Sequence, residues 1–379
     1  MNLITTTKFY NSYITTHEQY RYKMYSEPNI PVNDSFYSIN ANNYAIPIVA
    51  DRVSLPSIND QISNIELSSV LPPFIYQRYY NVESILSPTP INLNDYKRPS
   101  AYCENRSEYI KLLKRMVTLN MVTFTDNPIA VNGLFGVPKD GDQIRLIIDA
   151  TPANLLMIPP PIVQLPNPTH LANIQSSNPF YVAKLDLSNY YHQLRLPEPL
   201  QPFFCLPAIS EIEYLLIISI LSISVQKHGR RYPMLRTLPM GWTHSVYIAQ
   251  CVHEHILYTV FIVLSPFDNI LVSSVLFMNL HLIYIDDLML MSYNRTELQL
   301  LVERVLAAYA AVGIKVNVKK SVEPTCDDVK VIGVQMNGSK QRIFIDGADI
   351  VSLIGRTQFI LNVGQCTGHC MSVLIGHWW

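Results

Sequence analysis

Two adjacent carboxylates stand in the middle of an otherwise apolar run: His281–Met291 reads HLIYIDDLMLM. The eleven residues carry β-formers on both sides of the pair. They read as two buried strands with Asp286 and Asp287 at the bend between them. Charge among buried strands is costly unless something neutralises it. The bend is therefore a turn that happens to be acidic, or a site that holds cations. Asp is common in turns, so the dipeptide alone leaves both readings open.

The neighbouring sequence narrows the choice. Phe180–Leu187 (FYVAKLDL) is an apolar strand that also ends on a carboxylate, Asp186. Gly133–Asp149 reads as two short strands around a Lys139-Asp140-Gly141-Asp142 turn, since Asp-Gly favours a hairpin. Tyr109–Leu119, Ser245–Ile256 and Thr296–Val312 carry helical spacing. The last has Thr296 and Gln299 placed as a capping box and Gly313 as a stop. Strands follow at Ile314–Val318, Val329–Met336 and Arg342–Ile345, the last pair joined by an Asn337-Gly338 turn. Strand, helix, hairpin, helix, strand describes an α+β chain, an antiparallel sheet packed on helices.

Three carboxylates near apolar strand ends suit phosphoryl transfer. Hard oxygen ligands can hold two divalent cations about 4 Å apart, one activating a hydroxyl and one steadying a leaving group.

With these pieces in place, the sequence resembles the reverse transcriptase family, in a form near the gypsy-type and DIRS-like elements. Tyr284-Ile285-Asp286-Asp287 is similar to the family's Tyr-x-Asp-Asp hairpin, and Lys184–Leu194 to its first metal-binding motif. Leu238-Pro239-Met240-Gly241-Trp242 is similar to the segment opening a helix beside template and nucleotide. Val137–Gly141 with Arg145–Asp149 resembles the fingers hairpin, Gly313–Lys320 the segment after the palm helix, and Val331–Val334 the primer-grip strand. The resemblance covers roughly residues 106–379.

The resemblance implies a right-hand polymerase fold. Residues 1–100 would be a loosely ordered leader, 101–345 fingers and palm, and 346–379 the start of a truncated thumb. It implies an RNA-directed DNA polymerase of a retrotransposon, working on an RNA or DNA template with a primer and deoxynucleoside triphosphates. Asp186, Asp286 and Asp287, with the backbone carbonyl of Leu187, would hold two Mg²⁺ ions, or Mn²⁺ in their place. Lys139 and Arg145 would hold the triphosphate, and Met240 and Gly241 would lie beside the nucleotide. Lys319 or Lys320 would act near the leaving pyrophosphate, and Ile332 and Gly333 would grip the primer. Tyr191, five residues after Asp186, would leave no room for a ribose 2′-hydroxyl, selecting deoxynucleotides. Plain core packing is the other use for that ring.

Other features pull in different directions. The net charge is −1 over 379 residues, whereas nucleic-acid enzymes usually carry a basic excess. The spans from Asp186 to Gly241 and from Gly241 to Asp286 look long for the family. The surplus falls in the apolar stretches Tyr214–Val225 and Phe261–Phe277. An inactive or fragmentary retroelement remnant that only binds nucleic acid is one alternative. A membrane-associated protein with chance matches is the other, although the apolar stretches are short or interrupted and no stable membrane association is expected. The six scattered cysteines read as reduced thiols of an intracellular protein. Cys366, His369, Cys370 and His377 match no closed zinc pattern, and His253 and His255 read as helix-surface residues.

Overall fold

The computed structural model describes residues 45–56, 65–89, 93, 100–139, 141–218, 230–273 and 279–344. The thumb expected from residue 346 and the Cys366–His377 cluster lie outside the described residues, as do parts of both surplus apolar stretches. The elements framing the site are α1 (Arg106–Thr118), β1 (Gly133–Pro138), β2 (Ile144–Asp149), β3 (Tyr181–Asp186), α2 (Ser245–His255), β4 (Asn279–Tyr284), β5 (Asp287–Ser292), α3 (Arg295–Val312), β6 (Val322–Thr325), β7 (Asp328–Val331), β8 (Val334–Asn337) and β9 (Arg342–Phe344). The fold is α+β.

A four-stranded antiparallel sheet, in the order β6-β3-β5-β4, forms the centre. Its strands explain their own composition. Ala183, Leu185, Ile283, Leu288 and Leu290 face one core, shared with Ile248 and Val252 of α2 and Val302 and Val305 of α3. Val182, Leu280, Leu282, Met289 and Met291 face a second core, closed by Val329, Val331, Val334 and Met336 of the β7–β8 hairpin. A strand covered on both faces has no use for alternating polarity and reads as a continuous apolar run. The acidic groups are left to the strand ends; within the strands, the buried His281 of β4 is satisfied by the Tyr258 hydroxyl at 2.8 Å and Lys184 of β3 pairs with Asp287. Truncating a fully buried member such as Leu290 to Ala costs about 2–5 kcal/mol.

Helix α3 packs its buried stripe of Leu298, Val302, Val305 and Tyr309 on the sheet. Its start differs from the expected Thr296/Gln299 box. Asn294 is the cap, its side-chain oxygen accepting from the N–H groups of Thr296 and Glu297 at 2.9 and 3.3 Å. Asx caps and Ser/Thr caps satisfy the same orphan N–H groups, and Asn294 lies at the position where the chain turns. Gly313 ends the helix in the left-handed region (φ 84°), as expected.

Two strand expectations are corrected. Ile314–Val318 makes only an isolated bridge, Val316 to Leu187, because the chain is turning at residues 318–320. Val329–Met336 is not one strand but the pair β7 and β8, with Val331 opposite Val334. Ile332 and Gly333 are the two-residue turn between them, both at positive φ (36° and 85°). That is the geometry a tight hairpin needs. Its β-branched first residue masked the turn.

Among the N-terminal hundred residues, Ile48, Ala50, Leu67, Val70 and Tyr79 are buried in the core that also holds α1 and α2. The Tyr79 hydroxyl meets His244 Nδ1 at 3.0 Å. In α1, the buried Glu108 carboxylate accepts from the Ala50 N–H at 2.6 Å, anchoring residues 50–52 to the helix. Strands β1 and β2 form the hairpin expected for Gly133–Asp149. Among the described residues, no helix is long and apolar enough to cross a membrane.

Candidate active site

Asp186 is the last residue of β3 and Asp287 the first of β5, and the register sets them directly opposite each other. Opposed residues of an antiparallel pair have Cβ atoms about 4.5–5.5 Å apart. Asp286 precedes Asp287 in the two-residue bend, and its carbonyl accepts from the Leu187 N–H at 2.9 Å. Three acidic residues, a hundred positions apart in the chain, therefore meet at one end of the sheet.

Their charges feel one another. Burial raises the Asp286 carboxyl to about 6, with Asp287 and Asp186 adding repulsion and Arg145 opposing it. Burial also raises Asp186, reinforced by Asp287, while Lys320, Lys184 and the Asn317 side chain pull it down. Lys184 shares the sheet face of Asp186 and places its ammonium 3.0 Å from Asp287 Oδ1. That oxygen is shielded from solvent and makes no well-aligned hydrogen bond, so the ion pair offsets its charge without satisfying its lone pairs.

The backbone around the carboxylates is held from beneath. Asp186 donates its N–H to Ser321 Oγ at 3.3 Å and accepts from the Asn317 N–H at 2.7 Å. Ile285 opens the bend at φ 55°, where a two-residue hairpin of this kind normally has glycine. A β-branched residue there stores about 1–3 kcal/mol. Its N–H donates to Gln250 Oε1 at 2.7 Å, and its carbonyl meets His253 Nδ1 at 2.8 Å. His253 was expected on the helix surface. It is fully buried instead, because α2 turns that face onto the bend and onto α3, where Tyr309 Oη lies 2.5 Å from His253 Nε2. Burial lowers its pKa to about 4, so the ring is neutral. His255 is partly buried, and its pKa is lowered by burial too.

The remaining candidates fall around this point unevenly. Tyr191 lies beside Asp286 and Tyr284, whose charges add to burial in raising its hydroxyl far above the usual range. Its neighbour Tyr190 is buried, with its hydroxyl on the Ala249 carbonyl at 3.0 Å. Arg145 is exposed on β2, near enough for its charge to act on Asp286. Lys139 leaves the end of β1 and donates to Ser54 Oγ at 2.8 Å. Met240 and Gly241 dock on β2: the Met240 carbonyl accepts from the Ile148 N–H at 2.8 Å. Gly241 sits at φ 123°, and a Cβ there would fall 1.9 Å from the Ile148 carbonyl oxygen. Lys319 and Lys320 are both exposed, and Lys320 is the one whose charge acts on Asp186. Ile332 and Gly333 form the β7–β8 turn rather than a strand.

Sequence reasoning missed Gln250, Lys184 and Asn317 and misread His253. Two polar residues three apart, inside the apolar stripe of Ile248, Ala249, Val252 and Ile256, were the available signal for Gln250 and His253.

Among the described residues, no three His, Cys, Asp or Glu side chains form a ready-made metal cage. The donor set nevertheless fits divalent cations. It consists of hard carboxylate oxygens that repel one another, one of them buried without an aligned partner. A cation would relieve both conditions, with the Lys184 ammonium giving way.

The sequence profile of the family described as "Reverse transcriptase (RNA-dependent DNA polymerase)" matches residues 137–336. The chain belongs to the reverse transcriptase family. That match takes in every candidate named above, from Val137 to Met336. Among solved structures, the chain is similar to a foamy viral protease–reverse transcriptase solved in complex with double-stranded DNA. Identity is 13%, with 78% of this chain and 57% of that one covered and a TM-score of 0.49. It is also similar to the foamy viral protease–reverse transcriptase dRH with double-stranded DNA, at 11% identity, 89% and 55% coverage and a TM-score of 0.48. The chain spans a little over half the length of the solved proteins it matches.

Proposed function

We propose that the chain is an RNA-directed DNA polymerase of a retrotransposon, extending a primer 3′-hydroxyl with deoxynucleoside triphosphates on an RNA or DNA template. The observation that carries this reading is the register of Asp186 opposite Asp287 with Asp286 in the adjoining bend, inside a segment matched by the family profile. Residues 101–345 serve as fingers and palm in this reading, and 346–379 begin the thumb.

Asp186, Asp286, Asp287 and the Leu187 carbonyl would hold two Mg²⁺ ions, for which Mn²⁺ could substitute. When bound, such ions activate the attacking hydroxyl and neutralise the leaving pyrophosphate. The rest is positioning and charge, which is most of what phosphoryl transfer demands. Arg145 offers a planar fork to phosphate oxygens and Lys139 a point charge. Lys320, with Lys319 beside it, offsets negative charge on the Asp186 side. Met240 and Gly241, seated on β2, border the nucleotide. The Tyr191 ring beside Asp286 occupies the space a 2′-hydroxyl would need. The Ile332-Gly333 turn meets the primer backbone. The motif form of Lys184–Leu194 resembles that of gypsy-type and DIRS-like elements.

The test is primer extension on an RNA template with Mg²⁺, comparing wild type with Asp286→Asn. Extension by the wild type and its loss in the variant support the reading. Salt-sensitive primer–template binding without extension by the wild type overturns it in favour of a binding protein.

A further inference from the structure

Two buried side chains of α2 grip the one strained residue of the acidic hairpin from both of its backbone polar groups. Gln250 Oε1 accepts the Ile285 N–H at 2.7 Å, while Gln250 Nε2 donates to the Ile283 carbonyl at 3.0 Å and to Glu254 Oε1 at 2.9 Å. A backbone N–H can meet only the amide oxygen and a carbonyl only the amide nitrogen, so the orientation of Gln250 is forced. His253 Nδ1–H donates to the Ile285 carbonyl, and the Tyr309 hydroxyl donates to His253 Nε2. A neutral imidazole has one donor and one acceptor, and both are used. Gln250 is 1% exposed and His253 and Tyr309 are 0%.

Ordinary core packing does not ask for this. The neighbouring α2 positions Ile248, Ala249 and Val252, and Ile256 just after the helix, bury hydrocarbon, and a polar pair among them is tolerated only with every group satisfied. What the pair satisfies is the residue immediately before Asp286. Ile285 is held at φ 55°, a conformation that a β-branched side chain disfavours, and strain of this kind persists where surroundings over-determine it.

We propose that Gln250 and His253, with Tyr309 behind them, are positioning residues that clamp Ile285 in its left-handed conformation and so aim the Asp286 carboxylate. The inference rests on the polymerase reading for its catalytic consequence, but the clamp itself is measurable without catalysis.

The experiment compares wild type, Gln250→Met, Tyr309→Phe, Ile285→Gly and the Gln250→Met/Ile285→Gly double variant. Gln250→Met keeps volume and removes both amide groups; Tyr309→Phe removes only the hydroxyl that fixes the His253 ring. Amide hydrogen exchange at Ile285 and single-nucleotide extension are read on each. Expected for Gln250→Met is exchange at Ile285 faster by at least about tenfold. Its kcat should fall about 10–100-fold, the usual effect of losing a group that orients a metal ligand, with the nucleotide KM within about threefold. Glycine adopts positive φ freely, so in the Ile285→Gly background the same substitution should lower kcat far less. Wild-type exchange at Ile285 in Gln250→Met overturns the clamp, and so does an equal kcat loss in both backgrounds. Should Gln250→Met fail to fold, Tyr309→Phe carries the test: unchanged exchange and kcat there overturn it. If the wild type extends no primer, the polymerase reading fails, while the exchange data still decide the clamp.

Discussion

Replacing Asp286 by Asn should make the protein more stable at neutral pH while abolishing the proposed primer extension. In the fold, burial, Asp287 and Asp186 raise the Asp286 carboxyl from 3.8 to about 6. At about 1.4 kcal/mol per pH unit, that displacement amounts to about 3 kcal/mol. The sign follows from linkage. The folded state binds the proton more tightly than the unfolded chain, so the group favours folding below about pH 4, and that contribution is lost as pH rises through 6. Asn keeps the size and hydrogen bonding of the protonated acid and never ionises. Asp286→Asn should therefore gain about 1–3 kcal/mol over wild type at pH 7.5, the lower figure allowing for partial solvent screening. The gain should shrink to near zero by pH 4. Denaturant unfolding in EDTA, repeated from pH 4 to 8, measures this directly. Adding Mg²⁺ should then narrow the gap at pH 7.5, since a cation bound by the folded wild type stabilises it by mass action. A variant less stable than wild type at pH 7.5, or a difference that does not change with pH, would refute the claim that the Asp286 carboxylate is buried among like charges.

Further outcomes are expected from other parts of the site. Tyr191→Ala should lower discrimination against ribonucleotides by at least about tenfold, since removing a steric exclusion acts on one substrate alone; competitive single-nucleotide extension reads it, and unchanged discrimination assigns the ring to packing. Gly241→Ala places a Cβ against the Ile148 carbonyl oxygen and should cost several kcal/mol, of order 3 or more, visible as a lowered Tm or loss of folded protein. Asn294→Ala should destabilise by about 1 kcal/mol through loss of the α3 cap, whereas Thr296→Ala should change stability by less than about 0.5 kcal/mol; equal effects would return the cap to Thr296.

Much of the fold was legible because its signals are local. Continuous apolar runs announced β3, β4 and β5, the Asp-Gly pair announced the β1–β2 hairpin, and Gly313 announced the end of α3. Where local signals compete, the reading slipped. Asn294 and Thr296 are both able caps, and only the path of the chain chose Asn294. Ile332 is β-branched and reads as strand, yet the pairing of Val331 with Val334 forces it into a turn at positive φ. His253 and His255 lie two apart on the same helix, and composition cannot say which faces the sheet.

The sequence by itself determined that acidic residues would end apolar strands, because hydrocarbon on both faces leaves charge only at the sheet's margin. Tertiary structure alone decided that Asp186 stands opposite Asp287, that Lys184 shares their face, and that Gln250 and His253 reach Ile285. Those relations join residues tens to a hundred positions apart. They arise from strand register and from which helix covers the bend, and no period in the chain records either.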